Sequence, residues 1–156
     1  MRAIIESWEK LTAKLLKEGD DAIVSLVDRA KAVTSRAQNG TGSVQPAFKI
    51  WAWNDDNTVV LADADFFELT DFAGVNPDSI GVDKVGTFVR LGRIAGALTG
   101  LGCTAGDLIY LSQTAGELTK TAPTGGANIF VLGQAEPSSP GAVEADDLFV
   151  NPRLIG

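Results

Sequence analysis

Cys103-Thr104-Ala105-Gly106-Asp107-Leu108-Ile109-Tyr110-Leu111-Ser112 is followed directly by Gln113-Thr114-Ala115-Gly116-Glu117-Leu118-Thr119-Lys120-Thr121-Ala122. The two decapeptides share one frame. Thr-Ala-Gly supplies a turn whose glycine tolerates positive φ, and an acidic residue followed by Leu opens a strand. The echo predicts a β-hairpin, and a single repetition falls short of the roughly three units a solenoid requires. Working outward, residues 128–132 and 147–150 continue the strand pattern across a Pro/Ser/Gly loop at 137–141. Upstream, residues 87–91, 94–98 and 66–69 are further strand candidates, separated by glycine or by the Asn76-Pro77-Asp78 turn. Many short strands at this spacing predict a small barrel or sandwich.

Another hairpin precedes these strands. Ala47-Phe48-Lys49-Ile50-Trp51-Ala52-Trp53 alternates so that Phe48 and Ile50 share one side, with Trp51 and Trp53 on the opposite or a bulged side. Asn54-Asp55-Asp56-Asn57 forms the turn, and Thr58-Val59-Val60-Leu61 returns as the partner strand.

Composition changes near residue 40. All six Pro, and all but two of the 17 Gly, follow it. Before it, Ile4, Trp8, Leu11 and Leu15 form one helical stripe, and Ile23, Leu26, Ala30, Val33 and Ala37 form a second, heptad-like seam beyond Gly19. Asp20 or Asp21 is placed to cap the second helix. The expected organisation is an N-terminal helical arm over 1–40, a joint at Gln38-Asn39-Gly40-Thr41-Gly42-Ser43, and a mainly β, Gly-rich barrel or sandwich domain over 44–156. The arm either packs on its own β domain, touches another chain or moves freely. The partner-binding candidates are Trp8, Leu11, Leu15, Ile23, Leu26 and Val33.

The inventory narrows the chemistry. The 156 residues contain no histidine, which removes Ser-His-Asp and Cys-His arrangements, His-containing zinc sites and imidazole proton relays. The single cysteine, Cys103, has no intrachain partner and lies beside a turn with no neighbouring His or Lys to activate it. A net charge of −7 argues against general nucleic-acid binding, which depends on Lys and Arg displacing counterions. The longest apolar runs fall far below the roughly 20 residues of a bilayer span, and the N-terminus lacks a leader's apolar region. Gly92, Gly96 and Gly100 read as strand and turn glycines, and Gly100, Gly102 and Gly106 miss the dinucleotide fingerprint by one residue. Asp55, Asp56, Asp63 and Asp65 offer oxygen ligands for a cation but lack the calcium-loop pattern, and read as turn carboxylates. Asn39-Gly40-Thr41 matches a glycosylation sequon by composition alone. The expectation is a chain with no catalytic residues, no cofactor, no metal and no small-molecule substrate.

Gly86-Thr87-Phe88-Val89-Arg90-Leu91-Gly92-Arg93-Ile94 begins a longer pattern. Leu101 to Ser112, Thr114-Ala115-Gly116-Glu117-Leu118-Thr119, Ala122-Pro123-Thr124 and Val131-Leu132-Gly133-Gln134-Ala135 complete it. Over roughly residues 85–135 this pattern resembles the small β domains of tailed-bacteriophage head decoration (cement) proteins and head fibres, and modules of tail fibres. The resemblance implies a virion structural protein, made in the host cytoplasm and placed on the outer capsid surface. It further implies a homotrimer that contacts the major capsid protein. The alternative is a head or tail fibre, or a receptor-contacting component in which Trp51 and Trp53 stack on sugars. No functional residue is carried over, because such domains hold no catalytic motif.

Overall fold

Among the described residues, strand pairing begins at Val33. The computed structural model describes residues 32–65, 71–125 and 129–155. Nine strands follow in order: β1 (Val33–Asn39), β2 (Ile50–Trp53), β3 (Thr58–Leu61), β4 (Phe72–Val75), β5 (Val85–Ile94), β6 (Leu108–Leu111), β7 (Leu118–Thr119), β8 (Ile129–Glu136) and β9 (Asp147–Ile155). The described residues contain no helix. The mainly β character expected from the turn pattern is what the chain adopts.

The helical assignment fails at its C-terminal end. Val33 and Ala37, placed above on a helical seam, lie in β1, which pairs antiparallel with β5 from Val33↔Leu91 to Gln38↔Val85. A spacing of four recurs on one face of a strand as well as on a helix, so the pair could not discriminate, and long-range pairing decides. The compact β unit therefore starts at Val33, and the expected joint at 38–43 is part of it. Trp8, Leu11, Leu15, Ile23 and Leu26 lie outside the described residues, as does the strand candidate at 66–69.

Five strands close a barrel in the order β1-β3-β2-β4-β5, with β5 returning to β1. The β2–β3 hairpin has the expected partners, Trp51↔Leu61, Ala52↔Val60 and Trp53↔Val59. Trp51 and Phe88 fill the interior together with Ala37, Val59, Ala73 and Ile80. Their rings meet edge to face at 5.4 Å. A barrel of so few strands is narrow, and small residues on β1 and β4 leave the space the two rings occupy. The Trp51 indole N–H donates to Asn76 Oδ1 at 2.8 Å. Asn76 also accepts from the Lys49 N–H and donates to the carbonyls of Pro46 and Asp78, so this buried amide is satisfied on both sides.

Beyond the barrel, Gly92–Ile94 of β5 pairs with β9, and the sheet continues β9-β8-β6-β7. Gly92 does not break the strand. The expected separate strands at 87–91 and 94–98 are one long β5 followed by turns at 95–100. A second core fills the space between this sheet and the outer side of β2, β4 and β5. It joins Ile50, Phe72 and Val89 to Ile109, Phe130 and Leu148, and the Phe72 and Phe130 rings lie 5.4 Å apart.

The decapeptide echo forms the predicted hairpin, with Tyr110↔Thr119 and Leu111↔Leu118. Both glycines take left-handed φ, 89° at Gly106 and 76° at Gly116. The second turn stitches the layers together: the Gly116 N–H donates to the Ala62 carbonyl, and the Gly116 carbonyl accepts from the Ile50 N–H.

Two outcomes test this architecture. A Cβ at Gly133 would lie 1.8 Å from the Phe149 carbonyl oxygen, which β9 backbone would have to vacate. Gly133→Ala is expected to cost about 3 kcal/mol or more in urea unfolding. Truncation tests the barrel's first strand. A chain starting at Val33 is expected to unfold in one cooperative transition, whereas one starting at Asn39 loses β1 and with it barrel closure and cooperativity, as followed by near-UV circular dichroism.

Candidate interaction surface

The groups singled out for chemistry are occupied in holding turns. Asp55 Oδ1 accepts from the N–H groups of Asn57 (2.8 Å) and Thr58 (2.7 Å), closing the β2–β3 turn, and these donors hold the carboxyl below its ordinary value. Asp63 Oδ1 accepts from the Asp65 N–H at 3.0 Å. Among the described residues no group of three or more His, Cys, Asp and Glu is placed to hold a metal ion. Cys103 is buried, and burial, with Asp107 adding to it, pushes the thiol up, away from the thiolate a nucleophile needs. The Asn39 carboxamide is also buried. Its nitrogen donates to the carbonyls of Ser43, Ile80 and Gly81, so the atom a glycan would modify is inaccessible in the folded chain.

The pair of exposed tryptophans is corrected. Trp51 is 0% exposed inside the barrel, and Trp53 is half-buried against the same core. Strand alternation does place the two on one side of β2, but barrel closure turns that side inward, and no sugar-stacking platform results.

The most heavily engaged ion pair was not foreseen. Asp147, 5% exposed, accepts from Arg93 Nε at 2.9 Å, from Arg93 Nη2 at 2.6 Å and from the Gly96 N–H at 3.0 Å. Arg93 Nη2 also donates to the Pro137 carbonyl at 2.7 Å. The partners stand 54 residues apart, and only the β5–β9 register brings them together. The clasp fixes the base of the loop between β8 and β9. Higher up, the Ala145 N–H donates to the Cys103 carbonyl and the Leu98 N–H donates to the Asp146 carbonyl. The loop's tip is thus held from both flanks while it presents Val143, 91% exposed, and exposed Glu144.

A second surface runs along β1 and β5. Cross-strand pairs Arg36↔Thr87 and Gln38↔Val85 turn away from the interior, where Ala37 and Phe88 point. Val33 and Leu91 pair at one end of the ribbon and are 45% and 37% exposed, and Val85 at the other end is 58% exposed. β1 and β5 together carry three Arg and no Asp or Glu, on a chain whose net charge is −7. Arg93 is paired, whereas Arg36 and Arg90 make no ion pair with the described residues. At the Val85 end lies an open depression of about 390 Å³ lined by Asp78, Ile80, Gly81, Lys84, Val85 and Thr87. Val33 is the one sequence-predicted contact residue among those described, and it lies on this surface as a strand residue. The rest of the ribbon went unnoticed because β1 was assigned to a helix. Its signal in the sequence is a carboxylate-free run in an acidic chain.

No protein-family model matches the chain, and no curated protein is significantly similar to it.

Burial alone would raise the Asp147 pKa, but the Gly96 N–H and the Arg93 guanidinium outweigh it and hold the carboxyl below its ordinary value. The depressed folded value makes the clasp stabilising above the unfolded carboxyl's pKa of about 3.9, and that stability disappears as pH falls through the folded value. Asp147→Asn is expected to cost about 2 kcal/mol at pH 7, and its difference from wild type is expected to shrink below about pH 4 in parallel thermal melts. Trp51→Ala is expected to cost about 3 to 5 kcal/mol, read by urea unfolding, as removal of a buried ring does.

Proposed function

We propose that this chain is a structural protein of a tailed-bacteriophage virion that decorates the assembled head and cements neighbouring major capsid subunits. Several copies act side by side, as a homotrimer in the reading the resemblance implies. Two features support this function. The Gly-turn hairpin grammar across residues 85–135 resembles that of head decoration domains, and it supplies β6, β7 and β8 of the second sheet. The observation that carries the reading is the β1–β5 ribbon: a carboxylate-free, partly basic strip with exposed Val33, Leu91 and Val85 at its ends, on an otherwise acidic molecule. A carboxylate-free strip with exposed apolar residues at both ends, set in an acidic surface, suits a protein contact.

Cement of this kind works by mass action. A protein that binds only the assembled shell stabilises it by RT ln(1 + [L]/Kd), about 2.7 kcal/mol at one hundred times Kd. The requirement is a rigid surface present in many copies. Loops pinned by Asn39, Asn76 and Asp147 supply rigidity, since an interface whose groups are already ordered loses less entropy on binding.

Purified heads are expected to carry the chain in near-stoichiometric amounts relative to the capsid lattice sites, and heads stripped of it are expected to rupture at lower temperature or under milder chelation. Recovery exclusively with tails overturns the reading.

A further inference from the structure

Of the six asparagines in the chain, Asn39 alone is followed by glycine. In an open chain that pairing is reactive, because a residue without a side chain leaves its backbone nitrogen free to approach the preceding carboxamide. The Gly40 nitrogen bonds to Asn39 Cγ, the Cγ–Nδ2 bond breaks, and ammonia leaves with the proton that the Gly40 nitrogen gives up. Water then opens the cyclic imide at one of its two carbonyls. One opening leaves aspartate. The other leaves isoaspartate, with the main chain rerouted through Cγ.

The fold holds each participant in this reaction. The Gly40 N–H donates to the Val59 carbonyl at 2.9 Å, and the Asn39 N–H donates to the Lys84 carbonyl at 2.9 Å. The Asn39 side chain is buried, and its Nδ2 donates to the carbonyls of Ser43 (2.8 Å), Gly81 (3.1 Å) and Ile80 (3.3 Å). Its Oδ1 accepts from the Thr41 N–H at 2.9 Å and from the Thr41 hydroxyl at 2.7 Å. The attacking nitrogen and the leaving amide are therefore tied to different segments, and the ring cannot close until β1 releases β3 and the loop at residues 80–84.

We propose that Asn39-Gly40 is a deamidation site gated by the barrel: intact while β1 is paired, converted from the open chain, and irreversible once converted. The carbonyls that guard the amide also make its loss one-way. A carboxylate only accepts, so aspartate sets a charged oxygen against the carbonyls of Ser43, Ile80 and Gly81 at a site closed to water. Isoaspartate adds a carbon to the main chain of β1, whose register is set by Gln38↔Val85 and Asn39↔Val59. A copy that stays unfolded too long is thus withdrawn from the pool that can fold, while folded copies keep their amide. The site is a clock on unfolded lifetime, and it stands whether or not the chain is a cement.

The test follows each asparagine by peptide mass spectrometry in the full-length chain, held in mildly alkaline buffer with and without urea. Asn39 is expected to convert at least about a hundredfold faster in urea than in native buffer, since opening limits the native rate. Asn54 and Asn57, exposed in the β2–β3 turn, serve as internal references and are expected to differ far less between the two conditions. Phe88→Leu, which weakens the barrel interior without touching the reacting atoms, is expected to raise the native-buffer rate at Asn39 about tenfold, and more if the variant opens fully. After urea is removed, chains modified at Asn39 are expected to stay protease-sensitive while unmodified chains refold, and Asn39→Asp is expected to show no cooperative thermal melt. Equal rates at Asn39 in the two conditions overturn the proposal. So does a destabilised Phe88→Leu with an unchanged rate, or modified chains that refold and melt like the unmodified protein.

Discussion

Phe88 and Val89 are adjacent on β5, and they point into different cores. Phe88 lies inside the barrel against Trp51, and Val89 lies outside it, in the layer that includes Phe130 and Leu148. Ile50 and Trp51 divide in the same way on β2. Both faces of these strands are therefore buried, and a slip of one residue would exchange the contents of the two cores. Because Phe is much larger than Val, neither core tolerates the exchange, so register is fixed from both sides at once. The same strand then leaves β1 and takes β9 as its partner at Gly92, which makes barrel and sheet one object. The outer face of β5 that the second sheet leaves uncovered is the ribbon with β1.

Buried polar groups complete this scheme. Among the described residues Asn39, Asn76 and Asp147 are the buried polar or charged ones, and each gathers loop backbone that the sheets cannot pair. Asn76 ties the stretch before β2 to the turn after β4. Asn39 holds the loop after β1 to residues 80 and 81. Asp147 holds the turn at Gly96 and, through Arg93, the Pro137 carbonyl. Among the described residues no buried side-chain nitrogen or oxygen lacks a partner. Such groups are expensive to bury unpaired, so each amide or carboxylate commits its loop to one conformation. A rigid exterior follows from the same bonds that stabilise the interior.

What the sequence made legible was local. The Thr58–Leu61 return strand and the paired Thr-Ala-Gly turns were visible because turn chemistry acts over four residues and glycine marks positive φ. β4 was missed because Phe72-Ala73-Gly74-Val75 is short, contains glycine and is buried on both faces, so it shows no alternation. β1 was misread because a spacing of four belongs to a strand face as well as to a helix. The burial of Trp51 could not be inferred from β2 alone, since alternation separates two sides and only closure of the barrel says which is inside. The Arg93–Asp147 clasp and the β1–β5 ribbon share that origin: each needs strand partners distant in the chain. The candidate surface was accordingly less legible than the hairpins that support it.

A protein that cements a shell, the role proposed above for this chain, gains most from repetition. A contact between copies that is weak alone raises the local concentration of each neighbour, so binding of one copy to a shell assists the next. The β1–β5 ribbon fits that logic because it is small: a few exposed apolar residues and two arginines with no ion pair among the described residues hold little energy in a lone encounter. Summed over the many copies that the proposed cement role would place on a shell, such contacts become cooperative. A net charge of −7 keeps unbound copies apart, and on the proposed reading a capsid lattice would supply the proximity that lets a small surface prevail.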